Sequence, residues 1–495
     1  VTEQVTEQVT EQVTEQVTEQ VTEQVTEQVA DQVSHQVAGH VGGQVRGQVT
    51  EQVTEQVTEQ VTERVTDQVS HQVAGQVRGQ VREQVSKQAS RAATVAVSVA
   101  TTPVTAAQNT ASDASQVAAA NASLREIEIE IDQDGVQFVK GEWLVLADQA
   151  DLATLRKFGF NIVKSEQLGS VGKILARLSR VDESSVAQMQ ADLKRLAPTV
   201  KIERNYILFE PKSVNDRLIT SRRGLAPQRV MPINAPTVQN ITIGVIDTGY
   251  DSAHEVFRGA RIEAKNFVAS GEAQTFSHGT SVISALVGAA ASYQGLLPGA
   301  NVLSASVFQA GKANSRFSTT DGVTRAIDWM ANRGVSVINM SFAGPYSRIL
   351  DSVIKTTNQQ GIRFVAAAGN EGPTAAPVYP AAYDGVIAVT AVSQRKKVYR
   401  LANRGNHIVF SAPGVSVFHA KAGGGYGHSS GTSMAAPFVT AALANIAGPD
   451  SRIDDRELQR LIDASEDLGQ VGFDEIYGHG LIRPLAPETV RLAER

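Results

Sequence analysis

The sequence predicts an α/β fold: a mostly parallel sheet with helices on both faces, preceded by a small α+β domain and a low-complexity repeat tract. Three observations predict it. From Ile241 onward, apolar runs of strand length alternate with helix-length segments, the pattern of a parallel sheet covered on both sides. Between Leu124 and Pro211 lies a separate, shorter set of strand and helix patterns. Before both, Val recurs at every fourth position from Val1 to Val85 in Val-Thr-Glu-Gln units and their relatives.

Residues 1–88 form that tract. Four residues on a helix advance about 400°, so the Val stripe drifts by about 40° per unit and never settles on one face. On a strand the same spacing puts Val and Glu on one side, which makes a poor core. Disorder or a fluctuating helix is expected, with a role limited to spacing or weak association. Residues 89–123 are rich in Ala, Ser, Thr and Asn and read as a linker. A second reading stays open. Lys87 and Arg91 precede the short apolar stretch Ala92 to Ala100 and small residues near Val104-Thr105-Ala106, the order that export machinery reads. An extracellular or periplasmic location is the corresponding expectation.

In residues 124–211, Ile127 and Ile129 alternate with Glu, and Phe138 and Trp143 to Leu146 continue as strand. Leu152 to Phe158 reads as a helix, Lys173 to Leu178 as a strand, Val186 to Leu196 as a second helix and Val200 to Phe209 as a closing strand. Residues 212–240, with prolines and an Arg pair, form a connector. In residues 241–495 the expected strands are Ile241 to Ile246, Val302 to Val307, Val335 to Met340, Ile362 to Ala367 and Val386 to Val392. The helices are Gly279 to Ala290, Asp321 to Arg333, Ser347 to Gln360 and Thr432 to Ile446. Ligands of such sheets sit at the carboxyl ends of the strands.

Composition narrows the function. At 495 residues with 42 % apolar and 19 % charged residues, the chain has material for a large core. A formal charge of −6 leaves no polyanion-binding footprint, so nucleic acid is not an expected partner. There is no cysteine, which removes disulfides, thiol nucleophiles and thiolate metal sites. No apolar run reaches the length of a spanning helix.

Hydrolysis of an amide by acyl transfer needs a nucleophile, a base, a carboxylate to orient the base, and donors for the oxyanion. Asp247 ends an apolar strand before Thr248-Gly249, where a carboxylate is rigidly held; by itself it also reads as a turn residue. His278 stands before Gly279-Thr280 at a helix start; alone it also reads as a cap. Ser433, in Gly431-Thr432-Ser433-Met434-Ala435-Ala436-Pro437, opens an Ala-rich helix whose first N–H groups favour an anion; alone it is an N-cap. Asn370 follows the strand Phe364 to Gly369, placed to aim an amide at an oxyanion; alone it is a turn residue before Glu371-Gly372-Pro373. Together, four such contexts in the order Asp, His, Asn, Ser on one sheet edge point to acyl transfer. The other histidines have less context: His254, His407, His419, His428 and His479 fall in loop-like sequence.

The blocks Asp247-Thr248-Gly249, His278-Gly279-Thr280, Ala368-Gly369-Asn370 and Gly431 to Pro437 resemble those of the subtilisin-like serine proteases. The resemblance runs from about Ile241 to Arg483. It implies a subtilisin-like fold and a serine endopeptidase with Asp247, His278 and Ser433 as triad and Asn370 as oxyanion donor. Asn339-Met340-Ser341-Phe342 is similar to the family's substrate-binding edge. Ser341, Phe342, Ala343 and Gly344 on one side, and Ala367, Ala368 and Gly369 on the other, are therefore expected to flank a protein or peptide substrate paired as an added strand. These segments carry no charged side chain, so an apolar residue is expected at P1. Residues Gln137 to Pro211 are similar to the family's propeptide, which implies an intramolecular inhibitor. The chemistry requires no cofactor; the family's calcium loops have no clear match, so structural calcium stays unassigned. Ile283-Ser284 departs from the family pattern, and the repeat tract has no counterpart in it. A catalytically silent protease fold displayed on the repeat stalk is the rival reading, disfavoured by the intact set of four.

Overall fold

The computed structural model describes residues 127–485 except 158–159, 181–199, 211–213, 216–224, 234–240, 269–274, 311–315 and 448–451. The repeat tract, the segment 89–123, the expected helix Val186 to Leu196 and most of the connector lie outside the described residues. All described residues belong to one compact unit, Asp113–Arg495.

The N-terminal part contains β1 (Ile129–Ile131), β2 (Gln137–Ala147), α1 (Gln149–Lys157), β3 (Phe160–Leu168), β4 (Lys173–Arg180) and β5 (Lys201–Phe209). Strand alternation divides β2 between two cores. Trp143, Val145 and Ala147 pack on Leu152 and Leu155 of α1, while Leu144 and Leu146 join the cluster under the neighbouring helices. β3 departs from the sequence reading, which leaves that stretch unassigned. Only Phe160 and Leu168 at its ends are buried, so no alternating apolar face marks it.

A short strand, β6 (Val214–Asn215), and helix α2 (Pro227–Val230) fall in the connector. Then follow β7 (Thr242–Asp247), β8 (Arg261–Asn266), α3 (Ser277–Val287), the small ladder β9 (Ala289–Ala290) with β10 (Tyr293–Gln294), β11 (Asn301–Ser306), β12 (Gln309–Ala310), β13 (Arg316–Thr319) and α4 (Thr320–Ala331). The chain continues through β14 (Val337–Met340), α5 (Arg348–Asn358), β15 (Arg363–Ala367), β16 (Val386–Val392), β17 (Ile408–Pro413), β18 (Val417–Ala420), β19 (Tyr426–Ser430), α6 (Thr432–Ile446) and α7 (Asp455–Ala464).

The central sheet has seven strands in the order β17-β16-β15-β14-β7-β11-β8, and every pairing in it is parallel. Residues of alternate parity feed two cores. Ile243, Val245, Val337 and Val365 meet α3 and α6 on one face; Ile246, Ile338, Met340 and Phe364 meet α4 and α5 on the other. The Ala-rich α6 is buried along its whole length, as a helix apolar on all sides must be. β18 and β19 form a hairpin around Gly423 to Gly425, and β6 adds to its edge. His419 and His428 therefore lie on strands, where the glycine-rich sequence had suggested loop.

The second large sheet crosses between the two parts. Its order is β12-β13-β5-β2-β4-β3, with β1 on β2, so the last strand of the N-terminal part pairs with β13 of the α/β part. Across this junction the Glu203 carboxylate accepts from Arg348 N at 2.7 Å and from the Ser347 hydroxyl, capping α5. Asn205 Oδ1 accepts from Asp321 N at 3.2 Å at the start of α4.

Candidate active site

The carboxyl ends of β7, β14 and β15 and the amino ends of α3 and α6 converge on one place. Asp247, the last residue of β7, is 2 % exposed and accepts from Thr248 N at 2.6 Å. Both its carboxylate oxygens lie 2.9 Å from His278 Nδ1 in the first turn of α3. That contact assigns the proton on Nδ1 and presents Nε2 as the reactive nitrogen. The two blocks interlock through small residues. Gly279 N donates to Thr248 Oγ1 at 2.7 Å, and a Cβ on Gly279 would come within 2.4 Å of Gly249 O. A side chain at 279 would thus push the imidazole away from its carboxylate.

Burial alone lowers the basicity of His278. The charge of Asp247 and its hydrogen bond outweigh this, Glu210 adds to the rise, Arg316 opposes it, and the ring's pKa stands at about 9. His278 Nε2 and Ser433 Oγ are both buried without a hydrogen-bond partner, two groups poised for a reacting partner.

Ser433 follows Thr432, the first residue of α6. Pro437 has no N–H to give the Ser433 carbonyl four residues back, yet the helix runs on. Ser341 Oγ donates to that carbonyl at 3.1 Å and accepts from Asn339 Nδ2 at 2.9 Å. Asn339 Oδ1 in turn accepts from Thr440 at 3.0 Å, so the end of β14 is stitched to α6.

Asn370 is oriented by Thr432. Its Oδ1 accepts from Thr432 N at 2.9 Å and from Thr432 Oγ1 at 3.0 Å, and since a backbone N–H only donates, the amide's orientation is determined. Asn370 Nδ2 faces Gly431, where a Cβ would sit 3.0 Å from that nitrogen and 3.5 Å from Ser433 Oγ. The missing side chain keeps open the space between hydroxyl and amide. A carbonyl oxygen placed there meets a side-chain donor and the amino end of α6 together.

On the substrate side, Ala343 and Phe209 exchange hydrogen bonds of 2.7 and 2.9 Å, and Gly344 pairs with Tyr379. The Phe342 ring is fully buried against Phe308, centroids 6.1 Å apart, in the cluster that also takes Leu208 of β5. Ala367, Ala368 and Ala343 are buried, and Gly369 adopts φ 108°. Glu371, the charge nearest the expected apolar pocket, folds its Oε2 onto Asn370 N at 2.8 Å.

Strand β5 runs between β13 and the segment expected to flank a substrate. Ile207, Leu208 and Phe209 pair antiparallel with Thr319, Ser318 and Phe317, and Phe209 also pairs with Ala343. Further along, Val214 and Asn215 pair with Ser430 and Ser429, just before the nucleophile. The sequence reading missed Thr432 and Ser341 as positioning groups, and Glu210 and Arg316 beside His278. Thr432 and Ser341 do lie inside recognised motifs; nothing local marks the other two.

The sequence profile of the Subtilase family matches residues 238–480. Subtilisin E of Bacillus subtilis is 31 % identical over 346 residues, 65 % of this chain and 83 % of that protein. The chain belongs to the subtilase family. A subtilisin-like protease of Coccidioides posadasii is 31 % identical over 234 residues, 46 % of this chain, and there the chain spans only 57 % of the relative's length. Among solved structures, fervidolysin of Fervidobacterium pennivorans, described as a keratinolytic enzyme related to subtilisin, shares the fold. Its TM-score is 0.58 at 22 % identity, covering 73 % of this chain and 64 % of fervidolysin. Among the described residues of this subtilase, no helix is long and apolar enough to cross a membrane, and no three His, Cys, Asp or Glu gather as metal ligands.

Proposed function

We propose that the protein is a serine endopeptidase whose acyl-enzyme forms on Ser433. The carrying observation is that His278 is held through Nδ1 by Asp247 while Ser433 Oγ and Asn370 Nδ2 both border Gly431. In the forward step His278 Nε2 takes the Ser433 proton as Oγ attacks the peptide carbonyl. Asn370 Nδ2 and the Ser433 N–H stabilise the oxyanion. His278 then gives the proton to the leaving amine, and water repeats the cycle on the ester. Ser433→Ala should lower kcat by on the order of 10⁶, the loss subtilisin itself shows, and abolish labelling by a fluorophosphonate. Labelling or hydrolysis that survives this substitution overturns the assignment.

Residues 124–211 act in this reading as an intramolecular inhibitor. Support comes from β5 lying as a strand in the cleft and from the Glu203 and Asn205 caps on α5 and α4. The bond that is cut on maturation lies between Glu210 and Val214, because strand pairing with the cleft flanks this stretch on both sides. None of these residues offers a large apolar side chain. Intramolecular cleavage at high effective concentration does not require the preferred P1 residue. For substrates in trans the uncharged cleft segments favour an apolar P1, and a P1 library that ranks Arg or Lys above Leu, Phe and Met overturns that. Export is the location this reading favours, supported by the basic, apolar and small-residue order from Lys87 to Ala106.

A further inference from the structure

β5 lies in the cleft as a substrate strand does, so its side chains report what each position beside the triad accepts. Phe209 pairs with Phe317, and in that antiparallel register the next residue, Glu210, stands opposite Arg316 at the start of β13. Glu210 Oε2 is 2.9 Å from Arg316 Nε, and its side chain is only 12 % exposed. The contact is an ion pair outside hydrogen-bond alignment, since the same oxygen has no aligned donor. Arg316 is itself fixed: its Nη1 donates to the hydroxyl of Ser277, the residue before His278, and β13 is braced by β12 through the Arg316 and Ala310 pairing. The charged groups facing Glu210 are thus Arg316, His278 and, beyond the imidazole, Asp247. A neutral side chain here would leave the guanidinium beside the imidazole unmatched. Arg316 belongs to the α/β part, so it stays when the inhibitory strand is gone.

We infer that Arg316 makes the position next to His278 an acid-selecting subsite, so that substrates presenting an apolar strand followed by Glu or Asp upstream of the P1 residue are preferred. The inference rests on the endopeptidase reading above. Arg316 is a specificity residue in it and takes no part in proton transfer. It also explains why a carboxylate is tolerated in a buried place beside Asp247, where two like charges repel.

The test uses enzyme matured from the full chain, with active sites titrated by fluorophosphonate. Quenched peptides carry the sequence of residues 207–215, with Glu, Gln or Lys at the position of Glu210, and cuts are mapped by mass spectrometry. The Glu peptide should exceed the Gln peptide in kcat/KM by about tenfold, as one charge-assisted contact warrants. This preference should shrink with added salt. Arg316→Glu should reverse it in favour of the Lys peptide. Equal rates on Glu and Gln peptides, a preference that survives Arg316→Gln, or cuts outside the stretch between that Glu and the Val four residues on would each overturn the inference. In those cases normal casein hydrolysis leaves the peptidase reading standing. Loss of both labelling and casein hydrolysis in the unsubstituted enzyme would remove the two together. The Glu and Gln comparison needs no variant, so a misfolded Arg316→Glu does not blunt it.

Discussion

In the α/β part the parallel sheet buries each face under helices of its own, α3 and α6 on one side and α4 and α5 on the other. The small N-terminal part is built differently. Among its described residues, α1 covers one face with a cluster of eight buried residues around Trp143 and Leu155. Its other face sends Leu144, Leu146, Leu168, Leu175 and Leu208 into the core of the α/β part. A domain that borrows half of its core is complete only when docked. Its final strand, β5, is also the strand that lies in the cleft. In the proposed inhibitor reading, docking and cleft occupation are therefore one event, and the same contacts that finish the small fold cover the triad.

The contrast can be sharpened first at the triad side, where no borrowed core is involved. Asn370→Ala should lower kcat by about 10²–10³ with little change in KM, because the amide meets the oxyanion only in the transition state. The magnitude is that known for subtilisin's own asparagine, and steady-state kinetics on one peptide checks it. An unchanged kcat would mean that another donor fills the space at Gly431.

The two faces of β2 give a more direct comparison. In the Ser433→Ala chain, Leu144→Ala should cost about 2–5 kcal/mol, since a fully buried leucine is truncated at the junction. When residues 124–211 are expressed separately, Leu144→Ala should mainly weaken inhibition of the mature enzyme. Val145→Ala, on the α1 face, should destabilise the small domain itself. If the two substitutions behave alike, as read by denaturation and by inhibition constants, the borrowed core is not a distinct face.

The smallest effect expected is electrostatic. His278 has its pKa raised from 6.5 to about 9 in the docked state. A raised folded pKa contributes stability that is fully present below about 6.5 and is lost as pH climbs through about 9. The melting temperature of the Ser433→Ala chain should fall across this window, and Glu210→Gln should lessen the fall by removing one of the charges that raise the ring. A flat profile would show that His278 stays neutral beneath β5.

The residues legible in the sequence share one property: their meaning is local. Asp247 ends an apolar strand and Asn370 follows one, His278 and Ser433 open helices, and the glycines beside them make room for the Thr248-Gly249 backbone at 279 and for the Asn370 amide at 431. Such contexts are set by a few neighbouring residues, so the sequence carries them in full. β3 escaped notice because its polar middle carries no alternating face, and the β18–β19 hairpin because glycines interrupt it.

What only the tertiary structure decided is which distant residues meet. Glu210 and Arg316 are an unremarkable acid and base in the sequence, and become neighbours of His278 only through the register of β5 on β13. Register is set by burial of the whole strand and shifts every side chain if it slips, so no local pattern encodes it. The Ser341 hydroxyl likewise gains its role because Pro437 frees a carbonyl on a helix that happens to pack at the end of β14. The sequence determined the chemistry of the centre through local backbone geometry; packing decided what surrounds, orients and occupies it.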